Sequence, residues 1–258
     1  MSSKFQQFKD LHKSDHLFVL PNVWDAKSAR VFQEKEFPAI ATSSSAVANA
    51  LGYEDGEGMP FSDYLFVIRR ILATVDLPLS VDLEMGYGSS DEAIYGNIRE
   101  LIGLGVVGIN IEDSIIHDST RTLKDVRSFA KTIEFIRKKL SSDGLDLFIN
   151  IRCDTFILNV AGKQEETARR LKIYNTTGAD GIFLPCISAE EDIVAAVRNT
   201  PLPLNVMAIP GLPDFHQLNR SGVKRVSMGP FLFNKIYNNA GLLSQKVITD
   251  GNISSILS

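Results

Sequence analysis

Asp82 and Glu84 stand two residues apart at the end of a short apolar run, in the stretch Val81-Asp-Leu-Glu-Met-Gly-Tyr-Gly88. On a strand, that spacing points both carboxylates to one side. Two acids on one side of an otherwise apolar strand are expensive to bury unless something pairs with them. A divalent cation is the simplest partner. Gly86 and Gly88 then let the backbone turn sharply. A competing reading ends the strand earlier and leaves both acids solvated in a polar loop. The motif alone leaves the two readings level. A second acid pair, Glu112-Asp113, tips the balance toward a metal site.

The elements that must position these acids repeat along the chain. A short apolar or β-branched run ends in polar residues, and an amphipathic helical stretch follows. Residues 17–20 lead to Asn22 and Trp24-Asp25, then a helix over 26–35. Residues 39–42 lead to Ser43-Ser44-Ser45, a loop carrying Asp55, and a helix over 64–75. Residues 79–81 lead to the acid pair and a helix over 91–104, with Ser90 placed to cap it. Residues 106–111 lead to Glu112-Asp113, a polar loop and a helix over 123–140. Residues 147–151 lead to Arg152-Cys153-Asp154 and a helix over 165–176. The last three units have strands at 181–184, 202–207 and 223–228, with helices over 189–198, from 213, and over 231–243.

Eight strand–helix units in this length predict a (β/α)8 TIM-type barrel, with residues 1–258 as one domain and 231–258 as its C-terminal helical segment. An open doubly wound sheet is the alternative. It usually has fewer units and often a phosphate loop, and neither a Gly-x-Gly-x-x-Gly nor a Walker-type loop occurs here. In a barrel the chemistry sits at the C-terminal strand ends. The polar residues named above, with Asn205, fall at those ends. They would converge on one mouth, with acids to hold a metal and an arginine to hold an anion.

Composition narrows the partners. The chain has 258 residues, is 44% hydrophobic and carries a net charge of −4. That is ample for a large core. Mild acidity gives no reason to expect nucleic acid or an anionic membrane. No apolar run approaches the ~20 residues of a membrane span, and the N-terminus lacks the apolar core of a signal peptide. The expected setting is cytoplasmic. Cys153 and Cys186 have neither metal-ligand spacing nor a disulfide pattern.

Taken together, the motifs resemble the isocitrate lyase and phosphoenolpyruvate mutase superfamily. The carriers are Pro21-Asn-Val-Trp-Asp25, Ser43-Ser-Ser45, Leu51-Gly-Tyr-Glu-Asp55, Asp82-Leu-Glu-Met-Gly-Tyr-Gly88, Gly108-Ile-Asn-Ile-Glu-Asp113, Arg152-Cys-Asp154 and Gly178-Ala-Asp-Gly181. The resemblance implies a Mg2+-dependent lyase or mutase, with Mn2+ as a substitute, acting on a small 2-oxo acid or phosphonate through an enolate. By position, it implies that Asp82, Glu84 and Glu112 form the metal shell, partly through water. It implies that Ser43, Ser44 and Ser45 cradle a substrate carboxylate and that Asp55 contacts substrate from a mobile loop. Arg152 would neutralise substrate oxygens, and Trp24 and Asn205 would line the pocket. For the last two, packing at the barrel mouth and capping of a strand end are the plain alternatives.

Three departures matter. The lyases carry a Lys-x-Cys-Gly-His loop after the fourth strand, and here Ser114-Ile-Ile-His-Asp-Ser-Thr-Arg121 stands there without a cysteine. The mutases carry a lysine and an asparagine there; this loop has His117 and Asp118. Glu replaces the usual Asp at position 84. His117 is the candidate replacement acid or base, against the plainer reading of an exposed loop histidine. Cys153 alternates away from Arg152 and reads as core. Two function classes therefore stay open: an enzyme cleaving a C–C or P–C bond as lyase, hydrolase or phosphonomutase, and a non-catalytic 2-oxo-acid binding protein on the same scaffold. The resemblance also implies a homodimer or homotetramer. The short tail predicts that each C-terminus packs on or near its own barrel, and Gly241 weakens the case for one unbroken final helix.

Overall fold

The computed structural model describes residues 3–118 and 120–257. Met1, Ser2, Ser258 and Ser119, the last within the 114–121 segment, lie outside it. Pro21 has no N–H and divides the first strand into β1 (Phe18–Leu20) and β2 (Asn22–Val23). The parallel sheet continues through β3 (Ile40–Thr42), β4 (Leu79–Asp82) and β5 (Gly108–Glu112). After a hairpin, β6 (Ser114–His117) and β7 (Thr120–Leu123), it resumes with β8 (Phe148–Arg152), β9 (Gly181–Leu184), β10 (Leu204–Met207) and β11 (Val223–Ser227). β1 pairs with β11 and β2 with β3, so the divided first strand ties the two ends of the sheet together. The result is the expected (β/α)8 barrel. Its strands are buried on both faces, as parallel strands covered by helices must be.

Helix α1 (Lys4–Lys13), which precedes the eight strand–helix units, plugs the N-terminal end of the barrel. Its Phe8 and His12 are buried, with His12 stacked on Phe148 at a centroid distance of 4.1 Å. Gly108 makes room for the plug: a Cβ there would lie 2.9 Å from the Phe8 ring. The barrel helices follow the expected order as α2 (Ala26–Glu34), α4 (Phe61–Leu72), α5 (Asp91–Leu104), α6 (Val126–Asp143), α7 (Lys163–Tyr174), α8 (Glu190–Arg198) and α9 (Phe215–Arg220), with a short α3 (Ser44–Leu51) between β3 and α4.

The last helix departs from expectation. α10 (Phe231–Asp250) runs unbroken through Gly241, whose cost of about 1 kcal/mol against alanine is within a long helix's tolerance. Only Phe233 is buried, edge-on to Trp24, while Leu242 and Ile248 are 67% and 75% exposed. The tail folds its final turn (Ser254–Ile256) back on α10. Among the described residues, no helix is long and apolar enough to cross a membrane.

Candidate active site

The site is built where β3, β4, β5 and β8 end. Ser43 stops β3 and caps α3, its hydroxyl accepting from the Ala46 amide. The first-turn amides of Ser44 and Ser45 have no helical carbonyl partners, and that of Ser44 is taken up by the Asp82 carboxylate. The Ser44 hydroxyl donates to Asp82 at 2.9 Å and lies 3.3 Å from Asp55. Asp82 is pinned from behind, because its amide donates to the Thr42 hydroxyl and its carbonyl accepts from Tyr64. Asp82 Oδ1, by contrast, is buried with no hydrogen-bond partner. Burial raises the pKa of this carboxyl, against the pull of Arg152 and Ser44.

A cavity of about 170 Å³ opens beside it, bordered by Ser43, Ser44, Ser45, Asp55, Asp82 and Arg152. Asn110, Phe183 and Pro185 are also part of its wall. Arg152 is held by its own strand end and the neighbouring one. Nε donates to Asp154 at 2.7 Å, Nη2 donates to the other Asp154 oxygen at 3.2 Å, and Nη1 pairs with Glu112 Oε2 at 2.8 Å. Burial opposes its charge, but Glu112, Asp154 and Asp82 outweigh it and hold the pKa above the ordinary arginine value.

Glu84 follows β4 in a left-handed conformation, φ 51°, that a non-glycine residue adopts only when its surroundings enforce it. Here they do. One oxygen accepts from the Tyr87 hydroxyl at 2.6 Å and the other from the Glu57 amide at 2.9 Å, while Glu57 accepts from the Tyr87 amide at 2.6 Å. The exchange latches the 53–58 loop onto the end of β4. Burial pushes the Glu84 pKa up to about 8. A folded-state pKa above the unfolded value of ~4.3 means that the folded protein holds the proton more tightly. This contribution to stability is lost as pH rises through that interval and is flat above it. In metal-free protein, the Tm of Glu84→Gln should therefore gain on the parent between pH 5 and pH 8. A difference independent of pH would show that Glu84 is ionised throughout.

Arg121 is a site residue within the segment whose sequence predicts a polar loop. The loop is the β6–β7 hairpin, and alternation along β7 turns Arg121 inward. Its guanidinium ion-pairs with Glu112, donates to Ser114 at 3.1 Å and lies 3.7 Å from Asp154. Ser114 bridges the same two carboxylates, at 3.1 Å and 2.7 Å. Two arginines and a serine thus offset two fully buried acids. Removing one partner of a fully buried pair costs ~3–5 kcal/mol. The Arg121 side chain is 20% open to solvent, so Arg121→Ala should cost less, about 2 kcal/mol, read as a lower urea midpoint. An unchanged midpoint would mean that the hairpin does not hold Arg121 in the site.

The other predicted residues lie apart from this cavity. Glu112 sits behind Arg152, wholly buried, with its pKa raised to about 7 mainly by burial. Asp113 points outward on β5's other face, to Arg170 and Tyr174, and is structural. Trp24 packs on Phe233 outside the cavity wall. Asn205 lies inside the barrel, bonded to Asn150. His117 projects from the hairpin, 82% exposed, beside Asp118. Cys153 is buried.

Among the described residues, no three His, Cys, Asp or Glu side chains stand close enough to cage a metal by themselves. The donor set suits a Mg2+ held by one carboxylate, water and ligand, because that ion commonly keeps several waters and binds through one or two carboxylates. The orphaned Asp82 Oδ1 is the matching feature.

Residues 8–248 match the sequence family described as phosphoenolpyruvate phosphomutase. The chain is similar to a candidate phosphonomutase of known structure from Burkholderia cenocepacia J2315, with 37% identity, a TM-score of 0.88, and coverage of 95% of this chain and 100% of that one. It is 28% identical over 230 residues to an oxaloacetate decarboxylase of Ectopseudomonas mendocina (strain ymp), covering 86% of this chain and 77% of the relative. Its fold is also that of a phosphonopyruvate hydrolase solved with oxalate and Mg2+, with a TM-score of 0.87, 22% identity, and coverage of 99% of this chain and 90% of that one.

Proposed function

Because this chain belongs to the phosphoenolpyruvate phosphomutase family, we propose that it is a Mg2+-dependent enzyme that cleaves a bond next to the carbonyl of a small 2-oxo acid. The observation that carries this reading is Asp82 Oδ1, a buried carboxylate oxygen without a partner at the edge of a cavity that Arg152 also borders. The cavity, about 170 Å³, is smaller than the ~300–1,000 Å³ of pockets for larger ligands. It suits an acid of a few carbons.

A bound Mg2+ supplies Lewis-acid stabilisation of the substrate's carboxylate and carbonyl oxygens. Asp82 would hold it directly, with Asp55, Glu84 and Glu112 acting through water or through their neighbours. The Ser45 amide and the Ser44 and Ser45 side chains hold the substrate carboxylate at the N-terminus of α3, where the helix dipole favours an anion. Arg152 faces the oxygen on which charge develops as the bond breaks. It is already fixed by Glu112 and Asp154, so it need not reorganise at that moment. Phe183, Ile157 and Pro185 wall the cavity and limit water around these charges.

Loss of carbon dioxide from a 2-oxo diacid is the reaction that this arrangement serves most simply, since it needs an electron sink and no base. The oxaloacetate decarboxylase relative supports that choice. Proton NMR of oxaloacetate with protein and Mg2+ or Mn2+ should show pyruvate forming faster than in the metal-only control, and chelation with EDTA should abolish the difference. Phosphonopyruvate, run in parallel, tests the P–C alternative. Binding of these acids without turnover of either would favour a non-catalytic binding protein.

A further inference from the structure

Beneath the cavity floor, three asparagine side chains form a chain across the barrel interior. Asn205 Nδ2 donates to Asn150 Oδ1 at 2.7 Å, and Asn150 Nδ2 donates to Asn110 Oδ1 at 2.8 Å. A row of amides has two self-consistent polarities, because every amide can turn over together. Arg225 removes that freedom. It is 1% exposed, and its Nη2 donates to the same Asn110 Oδ1 at 3.2 Å. A guanidinium has donors only, so it faces an oxygen and never the amide NH2. The chain is then polarised from Arg225 outward, and its unpaired end falls at Asn205 Oδ1, which is buried without a partner.

Arg225 is itself fixed from the plug and the barrel wall. His12 Nδ1 donates to the Phe8 carbonyl at 2.9 Å, which leaves Nε2 to face Arg225 Nη1 at 3.4 Å as an acceptor. Burial, followed by Arg225, lowers the His12 pKa to about 3, so the ring is neutral. The Phe183 ring lies 5.9 Å from the Arg225 guanidinium carbon. Burial pulls the Arg225 pKa to about 9, with Asp82 opposing, so the group stays charged at neutral pH.

The consequence reaches the cavity. Asn110 borders it, and its oxygen is saturated by two donors from below. Its Nδ2 has no hydrogen-bond partner among the described residues and is not enclosed. We propose that Asn110 is a ligand-binding residue that donates from Nδ2 to an oxygen of the bound acid, and that Arg225 is a positioning residue that acts by fixing which end of the Asn110 amide faces the cavity. This rests on reading the cavity as the site of a small oxyanion. It adds a neutral donor on the strand next to that of Arg152, two register positions before it, and with it a means of selecting an oxygen-bearing carbon at that point.

The test is calorimetric titration of oxalate, in Mg2+, into the intact parent and variants. Asn110→Ala should bind on the order of 10- to 100-fold more weakly, as expected for one hydrogen bond to a charged acceptor. Asn110→Asp keeps the shape and gains an ion pair with Arg225, so it folds. It presents an oxygen where the NH2 stood, and its loss should exceed that of Asn110→Ala. Arg225→Met should weaken oxalate in the parent background and have no further effect in Asn110→Ala, because it acts through that amide. Equal losses from Arg225→Met in both backgrounds overturn the positioning role. Parent-like affinity in Asn110→Ala overturns the whole inference while leaving the proposed function standing. A parent protein that binds neither oxalate nor pyruvate overturns both together.

Discussion

Replacing Asp82 with alanine should abolish Mg2+-dependent ligand binding and leave the fold intact, the largest effect expected from any single change. The two outcomes separate because of what Asp82 touches. Its backbone is held by Thr42 and Tyr64, and neither contact uses the carboxylate. The side chain is bonded by Ser44 alone, through its hydroxyl and its backbone amide, and Oδ1 lacks a partner. Burial already raises its pKa, so removing the carboxyl relieves a desolvation penalty. Circular dichroism and Tm should therefore match or exceed those of the metal-free parent. Affinity for oxalate in Mg2+ should fall by at least about 100-fold, because loss of a direct ligand removes several kcal/mol of charge stabilisation. Asp82→Asn should share most of the loss, which would exclude a cavity artefact. Parent-like metal and oxalate binding in Asp82→Ala would place the metal elsewhere.

Arg152→Lys should be nearly as damaging, despite keeping the charge. The arginine makes its contacts in three directions at once, with Nε and Nη2 on Asp154 and Nη1 on Glu112. An ammonium is a point donor on a flexible stem and does not reproduce that fork. It would satisfy one acid and leave the other, fully buried, short of a partner. Breaking such a pair costs ~3–5 kcal/mol. Arg121 remains beside both acids, so about 2–3 kcal/mol of stability is the expected loss. Turnover of a 2-oxo acid should drop on the order of 100-fold, a transition-state contribution of ~2.7 kcal/mol. If both stability and turnover stayed at parent values in Arg152→Lys, Arg152 would be a bystander.

The barrel was legible because its signal repeats. Eight apolar runs, each ending in polar residues and each followed by a helical period, leave little choice of architecture. The site was legible only where side-chain direction follows from strand position. Asp82 and Arg152 end β4 and β8 and meet at the cavity. Glu84 was expected to share a face with Asp82 by strand alternation, but the strand ends at Asp82 and φ turns positive at Glu84. Its carboxylate goes to Tyr87 and Glu57 instead of a neighbour's face. Arg121 was missed because a two-stranded hairpin of Ser, His, Asp and Thr looks like a polar loop. Only the alternation of Arg121 and Thr122 across β7 hinted that one side faces inward. The Asn110–Asn150–Asn205–Arg225 network was hidden for another reason. Polar residues inside apolar strands are expensive alone, and nothing in their separation along the chain reveals that they meet on the barrel axis. The plug helix α1 shows a plain amphipathic pattern, with Phe8 and His12 four apart, but it has no strand before it and so lies outside the repeating unit.

The central claim is that Asp82, a divalent cation and a small 2-oxo acid form one unit. Thermal unfolding of the parent and Asp82→Ala, each with and without Mg2+ and with and without oxalate, tests it most directly. A ligand at about 100 times its dissociation constant adds ~2.7 kcal/mol of stability, which is several degrees in Tm. The account predicts that shift only in the parent protein and only with Mg2+ and oxalate present together. Equal stabilisation by oxalate in EDTA, or the same shift in Asp82→Ala, would contradict it.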